Sequence, residues 1–122
     1  MWSISKQWTL DAAHSISTVA EDHKCRRLHG HTYRVRLTLE ALIADDGMIY
    51  DYGLMAPFAE YLRDELDHRN LNDVIQGPTT AERLASHLFH VACQVLPNLP
   101  TGAKVKVAVS ETPATWAEYW AW

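Results

Sequence analysis

The chain has 122 residues, 7 of them histidine and 2 cysteine, and a formal net charge of −4. This length fits one domain, so we expect residues 1–122 to form a single unit. The acidic balance argues against nucleic acid as a partner, and no apolar run is long enough to cross a membrane. The chain start lacks the layout of a signal peptide and two cysteines make no disulfide framework, so a cytoplasmic location is expected.

The first predicted element is a strand near the start of the chain. Even positions from Trp2 to Ala12 are apolar, except Lys6, and odd positions are polar. A period of two is typical of a strand with one buried face. His14 continues the apolar positions, so its imidazole is expected on the buried face.

A second strand is predicted from Thr32 to Ala41, where odd positions are apolar and even positions polar. His29 and His31 precede it in the apolar phase, and residues two apart on a strand point the same way. Together with His14, they place three imidazoles on one face. Three ligands leave a tetrahedral zinc ion with one open position, as in catalytic zinc sites. The alternative is three core histidines held by hydrogen bonds.

The two cysteines lie in different surroundings. Cys25 lies among basic residues in a long loop, roughly residues 15 to 28, between the two strands. Long loops in small domains are usually functional or disordered, so Cys25 is either an ordinary loop thiol or a functional one. Cys93 lies within a helical apolar pattern and is expected to pack in the interior.

A first helix is predicted from near Leu54 to Leu66, and Pro57 is tolerated there only in the first turn. Asp67 and His68 follow this helix. Since histidine suits the last turn of a helix, the pair alone is explained by a C-terminal cap.

A second helix is predicted after the Gly77-Pro78 break. Thr79 and Glu82 have the spacing of a capping box and are expected to open it. His87 and His90 have the spacing of one helical face. Nothing connects them with the other histidines, so both are expected at the surface.

A third strand is predicted where Val105, Val107 and Val109 alternate with more polar neighbours. The next residue in phase is Glu111, and a carboxylate on an apolar face is costly unless it is paired. Glu111 is therefore either a strand-end residue that reaches water or a group that holds a ligand beside the histidines. The aromatic stretch Thr115 to Trp122 predicts a fourth strand.

Four strands and two helices predict an α+β domain whose sheet has open edges. Exposed edges are normally paired or blocked. Trp116, Trp120 and Trp122 add apolar surface that a monomer hides poorly. We therefore expect the chain to form a homo-oligomer.

Five blocks in order resemble the 6-pyruvoyltetrahydropterin synthase superfamily across the whole chain. The blocks are Ala12-Ala13-His14, Cys25 to His31, Leu66-Asp67-His68 with Asn70-Leu71-Asn72, Thr80-Ala81-Glu82, and Glu111-Thr112. Three residues separate Cys25 from His29. This spacing resembles that of the branch that forms 6-carboxy-5,6,7,8-tetrahydropterin, whereas pyruvoyl-forming enzymes usually carry more residues between the Cys and the His. Leu10, where Phe is common, and Pro57 depart from the family pattern without touching the chemistry.

The resemblance implies the tunnelling fold, a four-stranded antiparallel sheet with two helices on one face. It implies trimers that close a barrel, and two trimers that stack into a homohexamer. It also implies a zinc-dependent carbon–carbon lyase of queuosine (7-deazaguanine) biosynthesis. Its substrate would be 7,8-dihydroneopterin triphosphate, and the products acetaldehyde, triphosphate and 6-carboxy-5,6,7,8-tetrahydropterin.

The resemblance also implies a role for individual residues. The zinc ligands would be His14, His29 and His31. Cys25 would be the catalytic thiol, and Asp67 and His68 would be its partner pair. Glu111 would anchor the pterin. Sites of the family form between subunits, so Cys25 and the pair are expected to meet across an interface. The weaker substrate-binding candidates are Lys24, Arg26 and Arg27 for phosphate and Thr80 for the pocket wall.

Two alternatives use the same zinc ligands. One is a pyruvoyl-forming triphosphate lyase, against which the short spacing between Cys25 and His29 argues. The other is a non-catalytic binding module stabilised by zinc, which has no use for Cys25.

Overall fold

The four strands form one antiparallel sheet in the order in which they occur in the chain. The structure, a computed structural model, describes residues 1–121. The strands are β1 (Trp2–His14), β2 (His29–Ala41), β3 (Lys104–Thr112) and β4 (Thr115–Tyr119), and each pairs with the next. The predicted sheet is confirmed, although β4 ends earlier than expected and Trp122 lies outside the described residues.

The first predicted helix is confirmed in position but is not a uniform α-helix. A 3₁₀ turn (Tyr52–Met55) leads into α1 (Ala56–Tyr61), which continues as a π-helical turn (Leu62–Leu66). Pro57 lies in the first turn of α1, where a missing N–H costs no intrahelical bond.

The second helix, α2 (Ala81–Val95), begins one residue later than predicted. Its N-cap is Thr80, whose hydroxyl accepts a hydrogen bond from the Arg83 N–H at 3.3 Å. The prediction of Thr79 as the N-cap is wrong. Either of the two adjacent threonines suits an N-cap, and the capping-box spacing to Glu82 favoured Thr79 over Thr80. Thr79 is instead fully buried beside His14.

Apolar side chains of the sheet and the helices share one core. The strand patterns are confirmed, since the odd positions of β2 from Tyr33 onwards are buried and the even ones partly exposed. The largest fully buried apolar side chains include Tyr33, Leu37, Leu39, Phe58, Leu66, Leu84 and Leu88.

Two predictions of burial are wrong on α2. Cys93 is exposed, because it follows the buried Ala92 and one residue turns the helix by 100°, out of the apolar stripe. His87 is half-buried and not at the surface: its Nε2 lies 2.6 Å from the hydroxyl of Tyr61. His90 is exposed, as expected.

A short segment, residues 67–72, runs along the outer edge of β1. The Asp11 carbonyl accepts from the His68 N–H at 2.6 Å, and the Ala13 N–H donates to the Arg69 carbonyl at 3.0 Å. This segment, called here the edge segment, covers only the C-terminal end of β1. No helix within residues 1–121 is both long and apolar enough to span a bilayer.

Candidate metal centre and adjoining cavities

Three imidazoles converge where the end of β1 meets the start of β2. His14 and His29 are directly paired across the two strands, and His31 is two residues further along β2. The three residues, called here the histidine cluster, each offer a ring nitrogen, and these nitrogens lie within 4.8 Å of one another. His14 is fully buried, and the other two are half-buried. The structure thus brings together all three predicted metal ligands.

Backbone carbonyls orient two of these rings. The Nδ1 of His14 lies 2.7 Å from the Thr79 carbonyl, and the Nδ1 of His29 lies 2.7 Å from the Arg27 carbonyl. A carbonyl only accepts, so each Nδ1 carries a proton, and in the neutral ring the Nε2 then keeps a free lone pair. This tautomer is the one in which Nε2 can bind a metal.

The donor set fits a divalent metal ion. The Nε2 atoms of His14 and His31 are buried and have no hydrogen-bond partner within residues 1–121. Burial also holds the pKa of His14 below its usual value, which favours the neutral, metal-binding imidazole. A metal site typically has neutral imidazoles whose buried nitrogens converge and lack hydrogen-bond partners. In a core without a metal, such nitrogens are costly.

Glu111 lies between the histidine cluster and a cavity. Its Oε2 is 3.5 Å from the Nε2 of His31, without the geometry of a hydrogen bond. The same residue lines an open cavity of about 280 Å³ with Thr80, Glu82 and Trp116. Glu111 therefore lies beside the histidines, as expected. Thr80 lies in a pocket wall, as expected, and both residues line this same cavity.

Asp67 and His68 form a pair at the edge of β1. Asp67 Oδ2 lies 3.1 Å from the His68 Nδ1, and Asp67 Oδ1 accepts the Asp11 N–H at 2.9 Å. The bond from Asp11 and, after it, the contact with His68 hold the pKa of Asp67 below its usual range. His68 has a φ of 61°, which is uncommon for a residue with a side chain.

A second open cavity, about 550 Å³, lies beside this pair. His31, His68, Asp11 and Asn70 are among the residues that line it. Asp11 was not predicted as a site residue; its Oδ1 accepts a hydrogen bond from the Thr32 hydroxyl at 2.5 Å. Its contact with Asp67 spans 56 positions, so no local pattern in the sequence signals it.

Cys25 lies apart from the Asp67–His68 pair. It is half-buried in a short 3₁₀ turn (Lys24–Arg26), and its carbonyl accepts the Ile16 N–H at 2.8 Å. No hydrogen bond or ion pair joins Cys25 to either residue of the pair within the described chain. The side chains of the three basic candidates, Lys24, Arg26 and Arg27, are exposed.

The antiparallel sheet with two helices and a histidine cluster at its end defines a tunnelling fold. The fold is shared with the 6-pyruvoyl tetrahydropterin synthase of Caenorhabditis elegans at a TM-score of 0.85 and 24% identity, over 99% of this chain and 96% of that chain. It is also shared with an uncharacterized protein of Wolinella succinogenes at a TM-score of 0.85 and 20% identity, over 99% and 98% of the two chains.

The sequence identifies the family within this fold. The pattern of the 6-pyruvoyl tetrahydropterin synthase family matches residues 3–121. The chain is 34% identical to a 6-carboxy-5,6,7,8-tetrahydropterin synthase of Synechocystis, over 73% of both proteins. It is 32% identical to a dihydroneopterin monophosphate aldolase of Pyrococcus furiosus, over 80% of this chain and 78% of that protein. The chain therefore belongs to the 6-pyruvoyl tetrahydropterin synthase family of enzymes.

Proposed function

We propose that this enzyme converts 7,8-dihydroneopterin triphosphate and water to 6-carboxy-5,6,7,8-tetrahydropterin, acetaldehyde and triphosphate in queuosine or 7-deazaguanine biosynthesis. The observation that carries the proposal is the histidine cluster beside a half-buried Glu111 that lines a cavity, with the Nε2 atoms of His14 and His31 buried and without a hydrogen-bond partner in the described chain. The similarity to the Synechocystis synthase and the short spacing between Cys25 and His29 support this branch of the family.

The proposed metal is zinc, held by His14, His29 and His31. Zinc in such a site acts as a Lewis acid that stabilises negative charge developing on a substrate oxygen. The protein contributes three imidazoles, two of them oriented by backbone carbonyls. Three protein ligands leave room for the substrate, as catalytic zinc sites do.

Glu111 is proposed to anchor the pterin ring in the adjoining cavity. A carboxylate accepts two parallel hydrogen bonds, and the amino group and ring N–H of a pterin offer two donors side by side. Thr80 and Glu82 line the same cavity from the start of α2. The pterin would therefore lie with its side chain toward the histidine cluster.

Cys25 and the Asp67–His68 pair are proposed to move the protons. Cys25 is proposed as the base, and the neighbouring Lys24, Arg26 and Arg27 are proposed as phosphate contacts. Because the pKa of Asp67 is held low, its carboxylate is charged at neutral pH, and its Oδ2 lies 3.1 Å from the His68 Nδ1. We propose that the thiol and the pair meet across a subunit interface of a homohexamer.

A second candidate is an aldolase acting on a dihydroneopterin monophosphate. It is favoured by the relative from Pyrococcus furiosus, whose identity and coverage are close to those of the Synechocystis synthase. A pyruvoyl-forming lyase and a zinc-stabilised binding module remain as further alternatives, and the shared histidine cluster suits each of them.

Product analysis separates these functions. The zinc-loaded protein is incubated with 7,8-dihydroneopterin triphosphate and, separately, with the monophosphate, and the products are identified by mass. We expect a 6-carboxypterin and acetaldehyde from the triphosphate. A 6-pyruvoyl product would contradict the proposed branch, turnover of the monophosphate alone would favour the aldolase, and zinc binding without turnover would favour the binding module.

A further inference from the structure

Asn72 connects the edge segment with the end of β1 next to a proposed zinc ligand. Its Oδ1 accepts the Ser15 N–H at 2.8 Å, and its Nδ2 donates to the Ser15 carbonyl at 3.0 Å. Ser15 directly follows His14. One side-chain amide therefore holds both backbone polar groups of the residue that directly follows His14.

The same amide also reaches the other support of His14. Asn72 Nδ2 lies 3.5 Å from Thr79 Oγ1, and that hydroxyl lies 3.1 Å from the Nδ1 of His14. Thr79 is fully buried, so its hydroxyl depends on protein partners. Asn72 is thus connected to His14 along the backbone and through Thr79.

Asn72 is exposed, and the turn that carries it is anchored in the core. It lies in a 3₁₀ turn (Leu71–Asp73) whose Leu71 is fully buried in the core. Asn70 caps this turn, and its Oδ1 accepts the Asn72 N–H at 3.0 Å. The Asn70 side chain makes this bond within the turn, whereas the Asn72 side chain makes its bonds to Ser15 and Thr79.

We propose that Asn72 is a positioning residue of the metal site, which sets the position of His14 through Ser15 and Thr79. The inference rests on the proposed function in one respect, that His14 binds zinc. Groups that orient metal ligands typically change metal affinity by about 10- to 100-fold when they are removed. A residue that only stabilised the edge segment would change the stability of the metal-free protein and leave its metal affinity unchanged.

The test measures zinc affinity by competition with a chromophoric chelator, using the full chain. The variants are Asn72→Ala, Thr79→Val, the double variant, and Asn70→Ala as the matched control. We expect Asn72→Ala to weaken zinc binding by about 10-fold or more. Thr79→Val should weaken it in the same direction, and the double variant should lose less than the two single effects combined, because both act through one network. Asn70→Ala should lose less affinity than Asn72→Ala, because it removes the cap of the turn and keeps the Asn72 amide.

The outcomes separate a positioning role from a structural one. Unchanged zinc affinity in Asn72→Ala, with a lower Tm of the metal-free form, would overturn the inference and leave the metal site standing. An equal loss of affinity in Asn70→Ala would also overturn it, since the effect would then belong to the whole turn. If Asn72→Ala does not fold, Asn72→Asp decides, because it keeps the acceptor for the Ser15 N–H and removes the Nδ2 donor. Unchanged zinc affinity in that variant would overturn the inference. Failure of the unaltered protein to bind zinc would overturn the metal site and this inference together.

Discussion

At the scale of single residues, backbone atoms set the histidine tautomers. The shortest contacts of the His14 and His29 Nδ1 atoms, 2.7 Å each, are to the backbone carbonyls of Thr79 and Arg27, and the Thr79 hydroxyl lies further from His14, at 3.1 Å. Substitution of Arg27 therefore leaves the orienting bond of His29 available. The site depends on the chain path around it, while its metal-binding chemistry belongs to the imidazoles themselves.

Cys25 and His29 should separate turnover from metal binding. Cys25→Ala is expected to keep one zinc per chain and to lose turnover, because the thiol is the proposed base and not a ligand. His29→Ala is expected to lose both, since two imidazoles hold zinc far more weakly than three. Metal content after gel filtration and a turnover assay provide the measurements. Full metal content in His29→Ala would contradict the ligand assignment, and full turnover in Cys25→Ala would contradict its catalytic role.

His87 should make the stability of the metal-free protein sensitive to acid. Burial lowers the pKa of His87 from its usual value of 6.5, so the unfolded state binds the proton more readily than the folded state. Above about pH 6.5, His87 does not lower the free energy of unfolding. That free energy falls as the pH drops from there toward the pKa of His87 in the folded state. Urea unfolding at about pH 7.5 and 5.5 should show a larger loss in the unaltered protein than in His87→Gln. Equal losses would contradict the assignment.

At the scale of elements, the edge segment gives the Asp67–His68 pair its position. Asp11 contacts the pair through its N–H and its carbonyl, so the end of β1 acts as a template for both residues. The left-handed backbone at His68 is maintained by these bonds. The C-terminal cap read from the sequence is partly confirmed: Asp67 is the C-cap residue, but its side chain binds the neighbouring strand.

The cap at Thr80 should contribute measurably to stability. Its hydroxyl satisfies the Arg83 N–H, which has no partner inside the helix. Thr80→Ala is expected to lower the free energy of unfolding by about 1 kcal/mol, and Thr80→Ser to retain most of it. Urea titration measures both. A loss of the same size in the serine variant would show that the methyl group, and not the hydroxyl, is responsible.

The strands and the histidine cluster could be predicted because their signals are local. Alternation along β1 and β2 extends to His14 and His31, so the same pattern that located the strands also oriented the imidazoles. The partners of these residues could not be predicted. Thr79 and Asn72 reach the end of β1 across 65 and 57 positions, and periodicity carries no information at that separation.

At the scale of the whole molecule, two exposed tryptophans lie under cations. The Arg36 guanidinium lies 4.4 Å from the Trp116 ring centre, and the Lys106 ammonium lies 5.5 Å from that of Trp120. These rings were expected to add apolar surface, and both are indeed exposed. Because cations lie over these two rings, the surface they form is both charged and apolar. The unpaired strand edges are therefore a stronger reason to expect association than the tryptophans are.

The chain should sediment as an assembly of six copies of its 13.9 kDa mass. Both outer strands, β1 and β4, leave backbone groups available for pairing in the single chain. Analytical ultracentrifugation at micromolar concentration measures the mass directly. A monomer would contradict the proposed homohexamer, and with it the meeting of Cys25 and the Asp67–His68 pair across an interface.

The edge segment also limits how copies of the chain can join. On β1 the outward backbone groups of Asp11 and Ala13 are already bonded to residues 68 and 69. Within residues 1–121, the alternation of the strand leaves outward backbone groups of β1 unbonded only from Ser3 to Thr9. A strand of another copy that slid beyond Thr9 would collide with the edge segment. The element that positions the Asp67–His68 pair therefore also acts as an end stop, which sets the register of any strand added to this edge.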